Sequence, residues 1–194
     1  GGSGGRGARG VVEEVGGEGG EPGFLVDTYS EGAKGEGMGH SCEAAVIIAA
    51  SLAQRDCRNN RRFGAGFSPA DAAARELHAA AGEAMYWLAQ AEASSERPMD
   101  LSGSTLPWPE ATPVLILTSH SAYSNLDEEE FLRAFPHSIV IMLDGRESAA
   151  DSDHRSHLMD GTALEALAVR LESLGSEFLL ISTIEEAALC LSGL

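Results

Sequence analysis

Val114-Leu115-Ile116-Leu117-Thr118 and Ile139-Val140-Ile141-Met142-Leu143 are the two stretches on which the fold turns. Neither alternates apolar with polar residues, so each reads as a strand covered on both faces, the pattern of a parallel sheet. Downstream, Thr162-x-x-Glu165 forms a capping box, with Leu164, Leu167, Ala168, Leu171 and Leu174 on one stripe and Gly175 at the far end. Phe178 to Ile181 reads as a further buried strand, and Thr183-x-x-Glu186 as the start of a closing helix. Between the two central strands, Asn125-x-x-Glu128 precedes a short helix through Phe131 and Leu132.

Upstream, Gly23-Phe24-Leu25-Val26 is a short apolar run ending at Asp27. Ser41 is placed to cap a helix whose positions Ala45, Ile48, Ala49 and Leu52 share a face. Arg62 to Phe67 is a weaker strand, interrupted by Gly64 and Gly66. Ser68-Pro69-Ala70-Asp71 opens a long helix with Leu77, Ala81, Ala84, Leu88 and Ala91 along its stripe. Tyr86 and Trp87 stand off that stripe, either under a loop or as a partner-binding patch. Residues 94–112 read as a loop. Buried strands alternating with amphipathic helices define an α/β fold: a doubly wound, mostly parallel sheet with helices on both faces, a three-layer sandwich. Residues 1–23, rich in Gly and Glu, form a flexible lead-in in which Val11, Val12 and Val15 could make a short edge strand; residues 24–194 make one domain.

The chain has 194 residues, with 13 Lys+Arg against 30 Asp+Glu and a formal charge of −17. So acidic a surface repels phosphate backbones and anionic lipid, which argues against nucleic-acid or membrane-surface binding. Arg55, Arg58, Arg61 and Arg62 form the one cationic cluster, read as a solvated helix end. No apolar run approaches the roughly 18 residues needed to cross a bilayer, so the chain as given is expected to be soluble. Cys42, Cys57 and Cys190 are odd in number and widely spaced, so buried reduced thiols are expected rather than a disulfide framework or a zinc site.

Ligands of an open parallel sheet bind beyond the carboxyl ends of the strands, where the strand order reverses. That rule selects the loops after Val26, Thr118 and Leu143. Four glycines between Gly32 and Gly39 precede a helix, but the loop is too long for a G-x-G-x-x-G turn, and Lys34 is followed by Gly35 rather than Ser or Thr. A strand ending in Asp with hydroxyls beside it suits a hard cation, and Mg2+ is the one cofactor this chemistry admits. Asp151, Asp153, His154, His157 and Asp160 crowd one loop; they offer a metal-like His spacing or a solvated insertion, and the insertion is the simpler reading. His120 follows a central strand and is the most informative histidine, although a lone His more often bonds a loop than catalyses. Ser119, Ser121 and Ser124 lack the elbow of a serine hydrolase.

The segments FLVDTYSEG (residues 24–32) and HSCEAAVIIAASLAQ (residues 40–54) resemble the bacterial proteins catalogued as domain of unknown function 58, whose C-terminal half is similar to the von Willebrand factor A fold. In that family an apolar strand ends in Asp and a helix of the form E-x-A-V-x-x-A-A-S-L-A follows, as in Glu43 to Ala53 here. PVLILTS (113–119) and SIVIMLD (138–144) fit the later strands, and RGVVEEV (9–15) the lead-in, so the likeness spans roughly Gly10 to Leu194. The von Willebrand A fold often carries a metal-dependent adhesion site, D-x-S-x-S with a distant Thr and a later Asp. Only Asp27 stands in place; Tyr29 and Glu31 replace the serines, Ser30 falls between them, Ser68 is at best a substitute for the Thr, and Thr118-Ser119-His120 occupies the later Asp position.

The resemblance therefore implies a non-catalytic protein–protein interaction module with a degenerate adhesion site. Asp27, Ser30 and Ser119 are its residual metal-site residues, and Asp27, Tyr29, Ser119 and His120 its partner-contacting residues. It also implies a partner such as a MoxR-type ATPase and a place in the cytoplasm, at the inner membrane where missing upstream segments anchor a larger protein. Two alternatives remain from the residues themselves: a binding domain tuned by a cation, and a small α/β enzyme, hydrolase or nucleotide-binding, that uses Asp27 and His120.

Overall fold

The computed structural model describes residues 20–29, 41–67, 86, 88, 89, 98–101, 108–144, 157–182 and 186. Five strands form one sheet: β1 (Pro22–Val26), β2 (Gly64–Gly66), β3 (Thr112–Thr118), β4 (Ile139–Leu143) and β5 (Glu177–Ile181). Every pairing is parallel and the spatial order is β2-β1-β3-β4-β5. The chain thus winds outward from β1 in one direction to β2, then returns to β3 and proceeds the other way. The reversal sits between β1 and β3, in register from Pro22 opposite Thr112 to Val26 opposite Ile116.

Side chains of successive strand residues point to opposite faces, and both faces are apolar. Phe24, Val26, Val114, Ile116, Ile139 and Ile141 meet helix α1 (Ser41–Arg58), whose Ala45, Ile48, Ala49 and Leu52 are buried as the periodicity predicts. Leu25, Leu115, Leu117, Val140 and Met142 face the other layer. That layer holds α2 (Glu128–Ala134) and α3 (Gly161–Ser173), through Phe131, Phe135, Leu164, Leu167 and Leu171. The three-layer, doubly wound α/β architecture is therefore the one expected from the unbroken apolar strands. Among the described residues, no helix is long and apolar enough to cross a membrane.

Several local expectations are corrected. The short helix expected after Asn125-x-x-Glu128 is α2, capped by Asp127, whose Oδ1 accepts from Glu130 N at 2.9 Å. The cap of α3 is Asp160, whose Oδ1 accepts from Ala163 N at 2.8 Å, rather than Thr162. In both, a carboxylate beside the first free N–H groups makes the cap, and it also carries the charge that a helix N-terminus favours. The other end of α3 is as expected: Gly175 takes φ +82°, Ser176 N donates to Leu171 O and Gly175 N to Glu172 O, a Schellman closure. Strand β5 is not fully buried; it is a sheet edge, and Leu180 is exposed.

Strand β1 takes in Pro22 and Gly23, two residues assigned to the lead-in. The arginine cluster does end α1, with Arg55 and Arg58 in its last turn and Arg58 exposed, but its other members also make defined contacts. Arg62 grips Glu21 with two hydrogen bonds, at 2.9 and 3.1 Å, and Arg61 donates to Gly20 O at 2.8 Å, which ties the chain entering β1 to the α1–β2 connection. Arg55 and Arg61 lie 3.5 and 3.8 Å from the buried carboxylate of Asp56. Val11, Val12 and Val15, Ser30, Cys190, nearly all of the helix expected from Ser68 and all of the closing helix except Glu186 lie outside the described residues. Within the Ser68 helix Leu88 is buried and Tyr86 is exposed, so Tyr86 does not pack under a loop.

Candidate functional site

The carboxyl ends of β1 and β3 are joined by one side chain. Asp27 N donates to Ile116 O at 2.9 Å, which extends the ladder one residue past β1 and delivers the Asp27 carboxylate between the two strand ends. Its Oδ2 accepts from Thr118 Oγ1 at 2.8 Å, from Thr118 N at 3.3 Å and from Tyr123 Oη at 2.9 Å. Its Oδ1 accepts from Tyr29 N at 3.0 Å, an Asx-type turn that starts the following loop. A carboxylate offers about four lone-pair sites. Three of the four protein donors converge on Oδ2 and one reaches Oδ1, and Asp27 is 1% exposed.

Tyr123 makes the tie three-sided. Its hydroxyl donates to Asp27 and accepts from Met99 N at 2.9 Å, so the 98–101 segment is bound through one oxygen to the end of β1. Burial and, next, the Asp27 charge raise the Tyr123 pKa well above its ordinary value of 10.0. The sign follows from linkage: the folded state holds this proton more tightly than the unfolded chain, so its contribution is complete below pH about 10 and is lost as pH rises beyond it. Thermal melts should show Tm falling above that pH. Tyr123→Phe should remove this alkaline component and cost about 2 kcal/mol at neutral pH, because it leaves Met99 N without an acceptor and Asp27 one donor short.

Ser119 and His120 extend the site beyond β3. Ser119 N donates to Leu143 O, and its carbonyl accepts from Met159 N, both at 2.9 Å or less. With Ser121 N donating to His157 O at 2.8 Å, residues 157–159 lie antiparallel across 119–121. His120 Nδ1 accepts from Ala122 N at 3.1 Å and so caps the 3-10 turn Ser121–Asn125, the loop-bonding role expected of a lone histidine. Its ring meets Tyr29 edge-on, with centroids 4.7 Å apart, and lies parallel to that of His157 at 6.2 Å. Asp160 of the acidic histidine-containing loop serves as the α3 cap, and Asp151, Asp153 and His154 lie outside the described residues.

Cys42, at the start of α1, is buried, and burial, then the charges of Glu43 and Asp27, pushes its thiol up to about 11. At pH 8 only about one thiol in a thousand would be ionised. Alkylation of the native protein followed by peptide mass spectrometry should leave Cys42 unmodified, and unfolding in urea should expose it.

Of the residues singled out from sequence, Asp27, Tyr29, Ser119 and His120 are brought together at the reversal point, all four buried, while Ser30 lies outside the described residues. Asp27 and His120 make their defined bonds to different groups: the first to Thr118, Tyr123 and Tyr29, the second to Ala122. Sequence reading missed Thr118 and Tyr123. The signal for Thr118 is its position as the one hydroxyl closing an otherwise apolar strand; Tyr123, in a turn, carries no periodic signal at all.

These donors also decide how well the site suits Mg2+. An ion needs oxygen lone pairs turned toward it in near-octahedral order. Asp27 turns the lone pairs of Oδ2 onto Thr118 and Tyr123, which would compete with an ion for that oxygen, while Oδ1 accepts from Tyr29 N. Among the described residues, no group of three or more His, Cys, Asp or Glu side chains could hold a metal.

Fold and site together define an open, doubly wound α/β domain with a buried polar tie at its switch point. Comparison with protein-family models, curated proteins and solved structures returned no match.

Proposed function

We infer that the chain is a non-catalytic interaction module of von Willebrand A type, in which the strand-end aspartate holds the fold together instead of holding a cation. The observation that carries this reading is the burial of Asp27 and the engagement of both its oxygens by Thr118, Tyr29 and Tyr123. A metal-dependent adhesion site exposes its carboxylate chemistry to a ligand; here the same position is closed by protein donors. The loops that leave the strand ends around this tie then form the partner surface, with Tyr29 and His120 supporting them from beneath. By its resemblance to the domain of unknown function 58 proteins, the partner is a MoxR-type ATPase, and the complex works on the cytoplasmic side of the inner membrane.

The test uses purified chain and the MoxR-type ATPase encoded in the same genome, mixed without nucleotide and followed by titration calorimetry. A complex should form with the same affinity in Mg2+ and in EDTA. Thermal melts of the chain alone should coincide with and without millimolar Mg2+ or Mn2+, because only a ligand that binds the folded state raises the midpoint. Absence of a complex would overturn the module reading. A midpoint raised by the ion and restored to baseline in Asp27→Asn would replace it with a cation-dependent one.

A further inference from the structure

Beside the Asp27 tie lies a groove of about 490 Å3 between residues 98–101 and the turn that leads into α2. Its floor is apolar: Met99, Leu101 and Tyr123 are buried side chains of the second core layer, and Leu126 packs against the same layer. Its rim is acidic, with Asp100, Asp127 and Glu130, and no Lys, Arg or His is among the described residues that line it. Arg170 lies behind the turn, where it donates to Ser124 O at 3.1 Å, Leu126 O at 2.6 Å and Glu128 Oε1 at 2.8 Å. The groove therefore has a greasy floor, a negative rim and a back wall stiffened by Arg170.

We propose that this groove receives an arginine or lysine side chain carried on a basic, partly apolar peptide segment of a partner protein. The proposal rests on the interaction-module reading and adds the chemistry of the partner. An arginine or lysine has the matching division, an aliphatic stem to lie on Met99, Leu101 and Leu126 and a charged head to reach the rim. The formal charge of −17 selects a peptide over a lone small cation, since a long-range field rewards each additional positive charge on the same ligand and speeds its approach. Tyr123 lies on the groove floor and bonds Asp27, so the groove adjoins the tie at the strand ends.

The probe is a capped tetrapeptide alternating arginine and leucine, followed by amide chemical shifts of the labelled chain at low salt. Shifts should concentrate at Met99, Leu101, Ala122 and Leu126. Binding should weaken about tenfold in the Asp100→Asn/Glu130→Gln double variant, the exposed Asp100 and the half-buried Glu130 each contributing a few-fold. Ala122→Arg, which plants a cation at the exposed mouth, should suppress it. The same peptide with glutamate in place of arginine should not bind.

Shifts scattered over the acidic surface, or unchanged by both variants, would overturn the proposal. So would spermidine producing the same shifts as strongly, because the groove would then accept any cation. If the ATPase binds and the peptide does not, the groove inference alone falls. If the peptide binds at the groove and the ATPase does not bind the chain, the assignment of that partner falls and the groove stands.

Discussion

Replacing Asp27 with alanine is expected to lower stability by about 4 kcal/mol, read as a drop in the urea midpoint at unchanged slope. The change strips an acceptor from four donors at once: Thr118 N, Thr118 Oγ1, Tyr29 N and Tyr123 Oη. Asp27, Thr118 and Tyr123 are buried, so water does not replace the lost partner without opening the strand ends. Hydrogen bonds to a charged group contribute about 1.5–3 kcal/mol each, and their effects within one network do not add. Asp27→Asn should cost about half as much, because an amide oxygen still accepts while its NH2 faces donors. A loss below about 1 kcal/mol for the alanine variant would mean that the carboxylate is not the tie described here.

The second large effect is expected at Gly64. A Cβ built there would meet three ring carbons of Trp108, Cδ2, Cε2 and Cε3, each at 2.5 Å. Trp108 is buried with Leu25, Met99, Leu101 and Ala111, so the indole has no open space to swing into. Gly64→Ala should therefore cost about 3 kcal/mol by overpacking, far more than alanine costs on an open edge strand. The cause can be separated from the loss of backbone freedom. In the double variant with Trp108→Leu the penalties should fall short of their sum by more than about 1 kcal/mol, since the smaller side chain makes room for the methyl group. Strict additivity would place the cost in the backbone instead.

The contrast between these two residues shows what a single sequence reveals. Asp27 was legible because an apolar run ends at it, and because open parallel sheets put their ligand chemistry beyond strand ends. The strand it would lie beside was legible too, since the unbroken apolarity of residues 114–117 and 139–143 pointed to a covered parallel sheet, although the Thr118 contact itself was not. Gly64 was legible only as an interruption. Its reason lies in Trp108, 44 positions away in a stretch that reads as a loop. That stretch does lack regular structure where it is described before β3, yet Met99, Leu101 and Trp108 within it are core residues. Their apolarity was the available signal, overridden by the Ser, Pro and Gly around them.

The cap of α3 was misplaced by two residues, at Thr162 instead of Asp160, for a simpler reason. Asn, Thr and Asp are all good caps, and only the path of the backbone decides which oxygen reaches the free N–H groups. The exposure of β5 was invisible for a related reason, because apolarity along a strand does not tell a central strand from an edge. Tyr123 illustrates the limit most fully. Nothing in its spacing announces a hydroxyl that bridges Asp27 to Met99, since that bridge forms between segments 96 and 24 residues from it.

The claim beneath all of this is that the Asp27 carboxylate is spent on the protein's own donors, and a double-mutant cycle between Asp27→Asn and Thr118→Val tests it most directly. Measured by urea unfolding, the cycle should give a coupling energy of at least about 1 kcal/mol, as expected for a buried, charge-assisted pair. Single costs that simply add, within about 0.4 kcal/mol, would mean that the two side chains do not act together and would contradict the account.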